Sequence, residues 1–280
     1  MNRLLKRPFL LSWILYVIAI YCYINYNLME KPFFLHPKQV TVMALVLVSI
    51  AVFYALTKFV GWRKTTMYAI YWMSISFLLE LLYLSLGRFS HNEATARIFD
   101  KVPYHISLNW LVTLFAIYSL GTLFQYKSTT TNNRLKQLLI YLLIDSTIFT
   151  TYTMLLDGIG HHSGYWTWHS SEYYLFLIWG LIPAHVFVEY FIGFMLIMLP
   201  VRWFEIYKKQ APSLSPYHFW GNFPLYIGWS LFAATSYWAF RKDIDVIGYT
   251  GIVFTIILTI MLFIKQKQIK TKKSTFLIII

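Results

Sequence analysis

Of the 280 residues, 58% are hydrophobic and only 12% are charged, about half the charged fraction of an ordinary soluble domain. That balance excludes a water-soluble fold, and apolar runs long enough to cross a hydrocarbon core of about 30 Å recur about eight times. The net charge of +13 does not indicate nucleic acid, because the cations sort by loop.

The pattern predicts an all-α, polytopic transmembrane bundle forming one integral membrane domain over residues 1–280, with spans near 9–28, 40–60, 66–86, 104–124, 138–156, 173–200, 217–239 and 246–264. On this assignment 17 of the 24 Lys and Arg residues lie on the side of both termini. The positive-inside rule then puts both termini in the cytoplasm and the protein in the cytoplasmic membrane. The basic run at 265–273 lies over anionic lipid, where each cation contributes about 1 kcal/mol of attraction. The amino-terminal Arg3 and Arg7 before an apolar stretch imitate a signal peptide, but the stretch is long and lacks a small-residue cleavage site, so it reads as an uncleaved first span. The single cysteine, Cys22, lies within it and excludes an intramolecular disulfide.

The second span has no ionisable residue before Lys58. The third carries Glu80 well inside its apolar run, where an ionised carboxylate is costly and marks a functional candidate. Pro103 suits the first turn of the fourth span, in which His105 and Asn109 share a helical face. Span five holds Asp145 near its middle, with Ser146, Thr147 and Thr150 near enough to satisfy it within the bundle, and ends at Asp157. The loop that follows has His161, His162, His169, Tyr165, Trp166 and Trp168 but no Lys or Arg, the composition of a rim or lid. In span six Pro183 is expected to break the helix, with His185 and Glu189 four apart beyond it. The segment 202–216 reads as a short basic cytoplasmic loop, and 217–224 as an interfacial aromatic belt opening span seven. Span eight is plainly apolar.

Two of these places share one template. Glu80 precedes Gly87 by seven residues, and Asp157 precedes Gly164 by seven. Val102-Pro103-Tyr-His105-Ile106 leads to Trp110, and Ile182-Pro183-Ala-His185-Val186 leads to Tyr190, each aromatic seven residues after its proline. This is a weak internal repeat, placed twice where one apolar segment ends and the next begins.

The aromatic content of 20% favours an apolar or cationic guest, since a ring face attracts a positive charge by about 0.5 to 2 kcal/mol. Removing a carboxyl from water favours its protonated form, so Glu80 and Asp157 are the candidate proton donors. His105 and His185 are candidates to orient or reload them. His185 and Glu189 with His161, His162 and His169 form an alternative metal set; because a His-x-x-x-Glu spacing is common by chance, no metal site is expected. No phosphate-binding glycine loop, nucleophile elbow or zincin helix occurs.

At the two stretches the chain resembles the membrane-bound carotenoid biosynthesis family that includes the carotenoid 1,2-hydratases and, more distantly, the small lycopene cyclase domains. One motif of that family, acid, glycines, then Val-Pro-x-x-Ile-Pro-x-x-Trp, looks like Glu80, Gly87, Val102-Pro103, Ile106 and Trp110, with Ser107 at the second proline. A second, Asp, Gly, x-Trp-x-Trp and Ile-Pro-x-x-Asn-Phe-x-x-Trp, looks like Asp157, Gly164, Trp166, Trp168, Ile182-Pro183 and Phe187, with Val186 at the Asn and Tyr190 at the last Trp. The resemblance implies an enzyme that protonates a terminal double bond of a carotenoid or related isoprenoid and then hydrates or cyclises it, needing no cofactor because acid and water suffice. Glu80, Asp157, His105 and His185 would be catalytic. Trp110, Trp166, Trp168, Phe187, Tyr190 and Glu189 would bind the substrate. The expected partners are membrane lipid and a long apolar isoprenoid. A non-enzymatic transporter or lipid-binding protein, its Pro-x-His segments lining a path near the midplane, is the alternative; a purely structural membrane partner would have neither acid facing a cavity.

Overall fold

The computed structural model describes residues 60–91, 97–98, 101–103, 106–125, 134–169, 177–178, 182–207 and 223–277, with scattered positions between 46 and 57. The expected first span lies outside the described residues. The second is helical at each of its described positions.

Among the described residues six helices follow: α1 Trp62–Ser85, α2 Ile106–Gln125, α3 Arg134–His162, α4 Ala184–Tyr207, α5 Phe223–Arg241 and α6 Asp245–Leu277. Six short strands lie between them: β1 Phe89–His91, β2 Arg97–Ile98, β3 Val102–Pro103, β4 Trp166–Trp168, β5 Leu177–Ile178 and β6 Ile182–Pro183. The described chain is thus mostly helical, and α1, α3 and α4 are long and apolar enough to cross a membrane. Their exposed side chains suit hydrocarbon: Ile70, Leu78 and Leu82 on α1, Leu139 and Leu143 on α3, Val188, Ile192 and Leu196 on α4.

The same order of elements runs twice. A helix ends at a glycine, a three-residue strand follows, then a small hairpin, then another helix. Both helices close with the same turn. Gly87 (φ 66°) sends its N–H to Leu84 O and the Arg88 N–H reaches Tyr83 O, while Gly164 (φ 74°) sends its N–H to His161 O and the Tyr165 N–H reaches Gly160 O. These are Schellman caps, which need the left-handed backbone that only glycine adopts without penalty. The strands released by the two turns pair with each other, antiparallel, as Phe89↔Trp168, Ser90↔Thr167 and His91↔Trp166. Each strand thereby takes the place of the other about a local two-fold through Ser90 and Thr167.

Several expected boundaries move. Leu177–Ile178 pairs with Ile182–Pro183, so α4 starts at Ala184 and Pro183 precedes the helix instead of breaking it. Pro103 likewise lies in β3, opposite Arg97, ahead of α2. Both prolines sit at strand ends, where a missing N–H is tolerated. In the other direction α3 runs through Asp157, Gly158 and Gly160 to His162, although each glycine costs a helix about 1 kcal/mol relative to alanine. Packing decides this: a Cβ on Gly160 would collide with the indole of Trp166. Gly160→Ala is therefore expected to cost about 1 to 3 kcal/mol by overpacking and to push Trp166 off the helix, read as a lowered melting temperature in detergent and a changed tryptophan emission spectrum.

In lipid, helices gain no hydrophobic free energy from meeting one another, so close packing and interhelical polar contacts hold them. Trp72, Phe115, Tyr118, Phe149 and Phe194 fill the core. The polar contribution centres on Arg202 of α4, only 1% exposed. Its guanidinium donates to both oxygens of Asp145 at 2.7 and 2.9 Å, to Glu205 at 3.2 Å, to the Thr122 hydroxyl at 2.8 Å and to the Tyr118 carbonyl at 2.9 Å. Glu205 also accepts hydrogen bonds from the Tyr68 and Tyr118 hydroxyls. Two expectations are corrected here. Asp145 is satisfied by Arg202 and not by its neighbours, since Thr147 bonds back to Leu143 O while Ser146 and Thr150 have no hydrogen-bond partner among the described residues. Arg202 itself is a buried helical residue and not part of a basic loop. Gly121 completes the arrangement, because a Cβ there would strike the Asp145 carboxylate.

Candidate functional site

Glu80 lies twelve residues beyond Tyr68 on α1, Asp157 twelve beyond Asp145 on α3, and Tyr190 twelve before Arg202 on α4. At 1.5 Å per residue each separation is about 18 Å. The bundle therefore holds two polar layers, the Arg202 cluster and a second one at the end that carries the glycine turns.

At that second layer a cleft with an empty volume of about 620 Å³ opens among α1, α2, α3, α4 and the paired strands. Both acids face it. The repeat explains why: each stands two turns before its cap, on equivalent positions of α1 and α3. Each is hydrogen-bonded, and differently. Glu80 Oε1 lies 2.6 Å from Nε2 of His91 on β1, and Asp157 Oδ2 accepts from the Tyr190 hydroxyl at 2.6 Å. The remaining walls are mostly rings. Trp166 and Trp168 come from β4, Phe89 from β1, Trp110 from α2, Phe149 and Tyr152 from α3. Asn109, Thr113 and Thr153 add neutral polar groups.

The rings brace one another. Phe89 packs on Trp168 with centroids 5.2 Å apart, Trp110 stacks on Phe149 at 5.2 Å, and Phe149 stacks on Phe194 at 3.7 Å. The local two-fold thus sets Phe89 and His91 of one copy against Trp168 and Trp166 of the other, so both acids share one aromatic chamber. Chemically it combines two carboxyl groups, an imidazole within reach of one of them, and π faces suited to a cation.

Of the residues singled out in the sequence, Glu80, Asp157, Trp110, Trp166, Trp168 and Tyr190 line this cleft. Glu189 lines a neighbouring cavity of about 460 Å³, where it accepts a hydrogen bond from the Tyr83 hydroxyl at 2.9 Å and lies 3.9 Å from Arg88. His185, in the first turn of α4, lines neither cavity, and Phe187 is 45% exposed on the outer face of that helix. Val186, at the place of the family's Asn, is fully buried against the Phe89 and Trp168 cluster. His105 lies outside the described residues. His161 serves the fold, with Nδ1 3.3 Å from the Trp166 carbonyl. Among the described residues no three His, Cys, Asp or Glu side chains gather as a metal site.

Sequence reasoning missed His91, the partner of Glu80. A signal was present: His91 stands four residues after Gly87, as Trp168 stands four after Gly164. Superposing the two copies on their turn glycines, and not on the prolines, would have placed Phe89-Ser-His91 on Trp166-Thr-Trp168.

The sequence profile of the carotenoid biosynthesis proteins matches residues 40–265, a stretch that includes both acids, both glycine turns and the buried Arg202. No curated protein and no solved structure matches the chain. Apolar helices and the family fit a membrane protein acting in carotenoid biosynthesis. Since the profile match extends over well more than half of its length, the chain belongs to the carotenoid biosynthesis protein family.

Proposed function

We propose that this protein is a multi-pass membrane enzyme that protonates a terminal double bond of a carotenoid or related isoprenoid and completes the reaction by adding water or closing a ring. The observation that carries the reading is the convergence of Glu80 and Asp157 on one aromatic cleft. The first step transfers a proton from a carboxyl O–H to the alkene. The π pair forms the new C–H bond, and a carboxylate and a tertiary carbocation remain. Trp110, Trp166 and Trp168 shelter the cation, each face contributing about 0.5 to 2 kcal/mol. In hydration, a water oxygen bonds to the cation and its proton passes to the carboxylate, directly or through His91, so the acid is restored and the net change is one water. In cyclisation, a second double bond supplies the electrons and a neighbouring carbon returns the proton. Neither route requires a cofactor. Tyr190 holds Asp157 in place, and Tyr190→Phe is expected to lower turnover about tenfold, as the loss of one positioning hydrogen bond worth about 1.5 kcal/mol would, measured with the substrate saturating.

The reading includes an eight-span topology in the cytoplasmic membrane, both termini inside, as a single domain. Charge supports it: 17 of 24 cations lie on the terminal side, even though Arg202 among them is buried. The cleft then opens near the outer leaflet, with the Arg202 layer nearer the cytoplasm.

The test is production of the protein beside a polyene-making pathway, with extracts separated by chromatography and weighed by mass spectrometry. A product heavier by one water means hydration, and an isomer of unchanged mass means cyclisation. No new species from several polyenes, with the protein verified in the membrane, rejects the enzyme and leaves a binding or transport role.

A further inference from the structure

The cleft is walled by α1, α2, α3, α4 and the paired strands, and its empty space of about 620 Å³ counts open solvent at its mouth, so it takes the end group of a long polyene but not its length. The rest of the chain needs a place, and the structure offers one. The second cavity, about 460 Å³, lies between α1 and α4 and shares Glu80, Phe89, Trp110, Phe149 and Tyr190 with the cleft.

Two hydrogen bonds bracket this cavity. At one end the Tyr83 hydroxyl donates to Glu189 Oε2 at 2.9 Å, and at the other the Tyr71 hydroxyl donates to the Ile197 carbonyl at 3.1 Å. Tyr71 and Tyr83 are twelve residues, or about 18 Å, apart along α1. Gly193 sits midway between Glu189 and Ile197 on the same face of α4, and a Cβ there would meet no atom within 4 Å. Opposite it stands Leu79, and the stacked pair Phe149 and Phe194 lies behind. On either flank Leu78 and Leu82 of α1 and Ile192 and Leu196 of α4 are exposed. The result is a mostly apolar slot, with Glu80 and Glu189 in its lining, that lies beside exposed apolar residues of α1 and α4 and shares a wall with the cleft.

We infer that the slot between α1 and α4, centred on Gly193, is the site that receives the polyene chain of the substrate, laterally from the bilayer, while its end group occupies the cleft. This rests on the reading of the cleft given above. It makes Gly193 and Leu79 determinants of chain length, separate from the acids that act on the double bond.

The experiment offers the full-length protein two acyclic isoprenoids with the same terminal double bond, one a long polyene and one short enough for the cleft alone. In Gly193→Phe, and independently in Leu79→Trp, kcat/KM for the long polyene is expected to fall by about tenfold or more while the short substrate stays within about twofold of wild type, the selectivity that a filled apolar pocket confers. Equal losses on the two substrates, or an unchanged long polyene, would overturn the slot. If the wild type converts neither substrate, the reaction assigned to the cleft fails by itself. Quenching of tryptophan fluorescence by the long polyene then decides the slot: weaker affinity in both filled variants supports it, and unchanged affinity overturns it.

Discussion

Glu80→Gln abolishes product while leaving the amount of protein in the membrane unchanged; that is the expected result, with a loss of about 10²- to 10⁴-fold, the usual contribution of a positioned acid. Glutamine has the size of glutamate and can still meet His91, whose Nε2 is 2.6 Å from Glu80 Oε1, so packing is little disturbed. What is lost is the proton. Asp157→Asn is the paired experiment, because Asp157 faces the same cleft from α3 and keeps its contact with Tyr190 through an amide oxygen. The two acids have different partners, an imidazole and a phenol, and the comparison separates their roles. A variant in which protonation is spared but water capture is slowed should release elimination or rearranged products. Full activity in both variants would sink the assignment, since no other carboxyl lines the cleft among the described residues.

The largest effect on stability is expected at Arg202→Leu. Removing the guanidinium leaves Asp145 and Glu205 buried without their cation, and breaking a buried ion pair by deleting one partner costs about 3 to 5 kcal/mol. Asp145 is fully buried. The expected outcome is a steep fall in membrane accumulation and in melting temperature in detergent. The double variant Asp145→Leu with Arg202→Leu should recover part of the loss, because Glu205 keeps the Tyr68 and Tyr118 hydroxyls. A double variant no better than the single one would show that the pair is not the coupled unit the geometry indicates.

Much of the molecule was legible without coordinates, for definite reasons. Burial in lipid demands long apolar helices, so composition alone implied a helical membrane protein. An acid inside such a run is expensive, so Glu80 stood out, and the doubled acid-glycine spacing pointed to both helix ends. The Glu80, Asp157, Trp110, Trp166, Trp168 and Tyr190 set could be named because each residue type carries its chemistry in its side chain. Gly87 and Gly164 could be noticed, too, because a helix that must stop and turn needs a left-handed residue.

Which of these residues meet was a different matter. His91 became a partner of Glu80 only because β1 pairs with β4 about a local two-fold, and a three-residue strand has too little hydrophobic periodicity to be read from sequence. Arg202 looked like a loop cation because charge at the end of an apolar run ordinarily is one; Asp145, fifty-seven positions away, made it a core residue. Pro183 looked like a kink because its effect depends on whether helix precedes it, and a hairpin does. The sequence by itself determined the solvent the chain lives in, the helices and the kind of chemistry available, since those follow from local composition and spacing. Only the tertiary structure decided the partners of each acid, the burial of Arg202 and the slot at Gly193, because pairing across helices depends on register and rotation, and neither is encoded in any single segment.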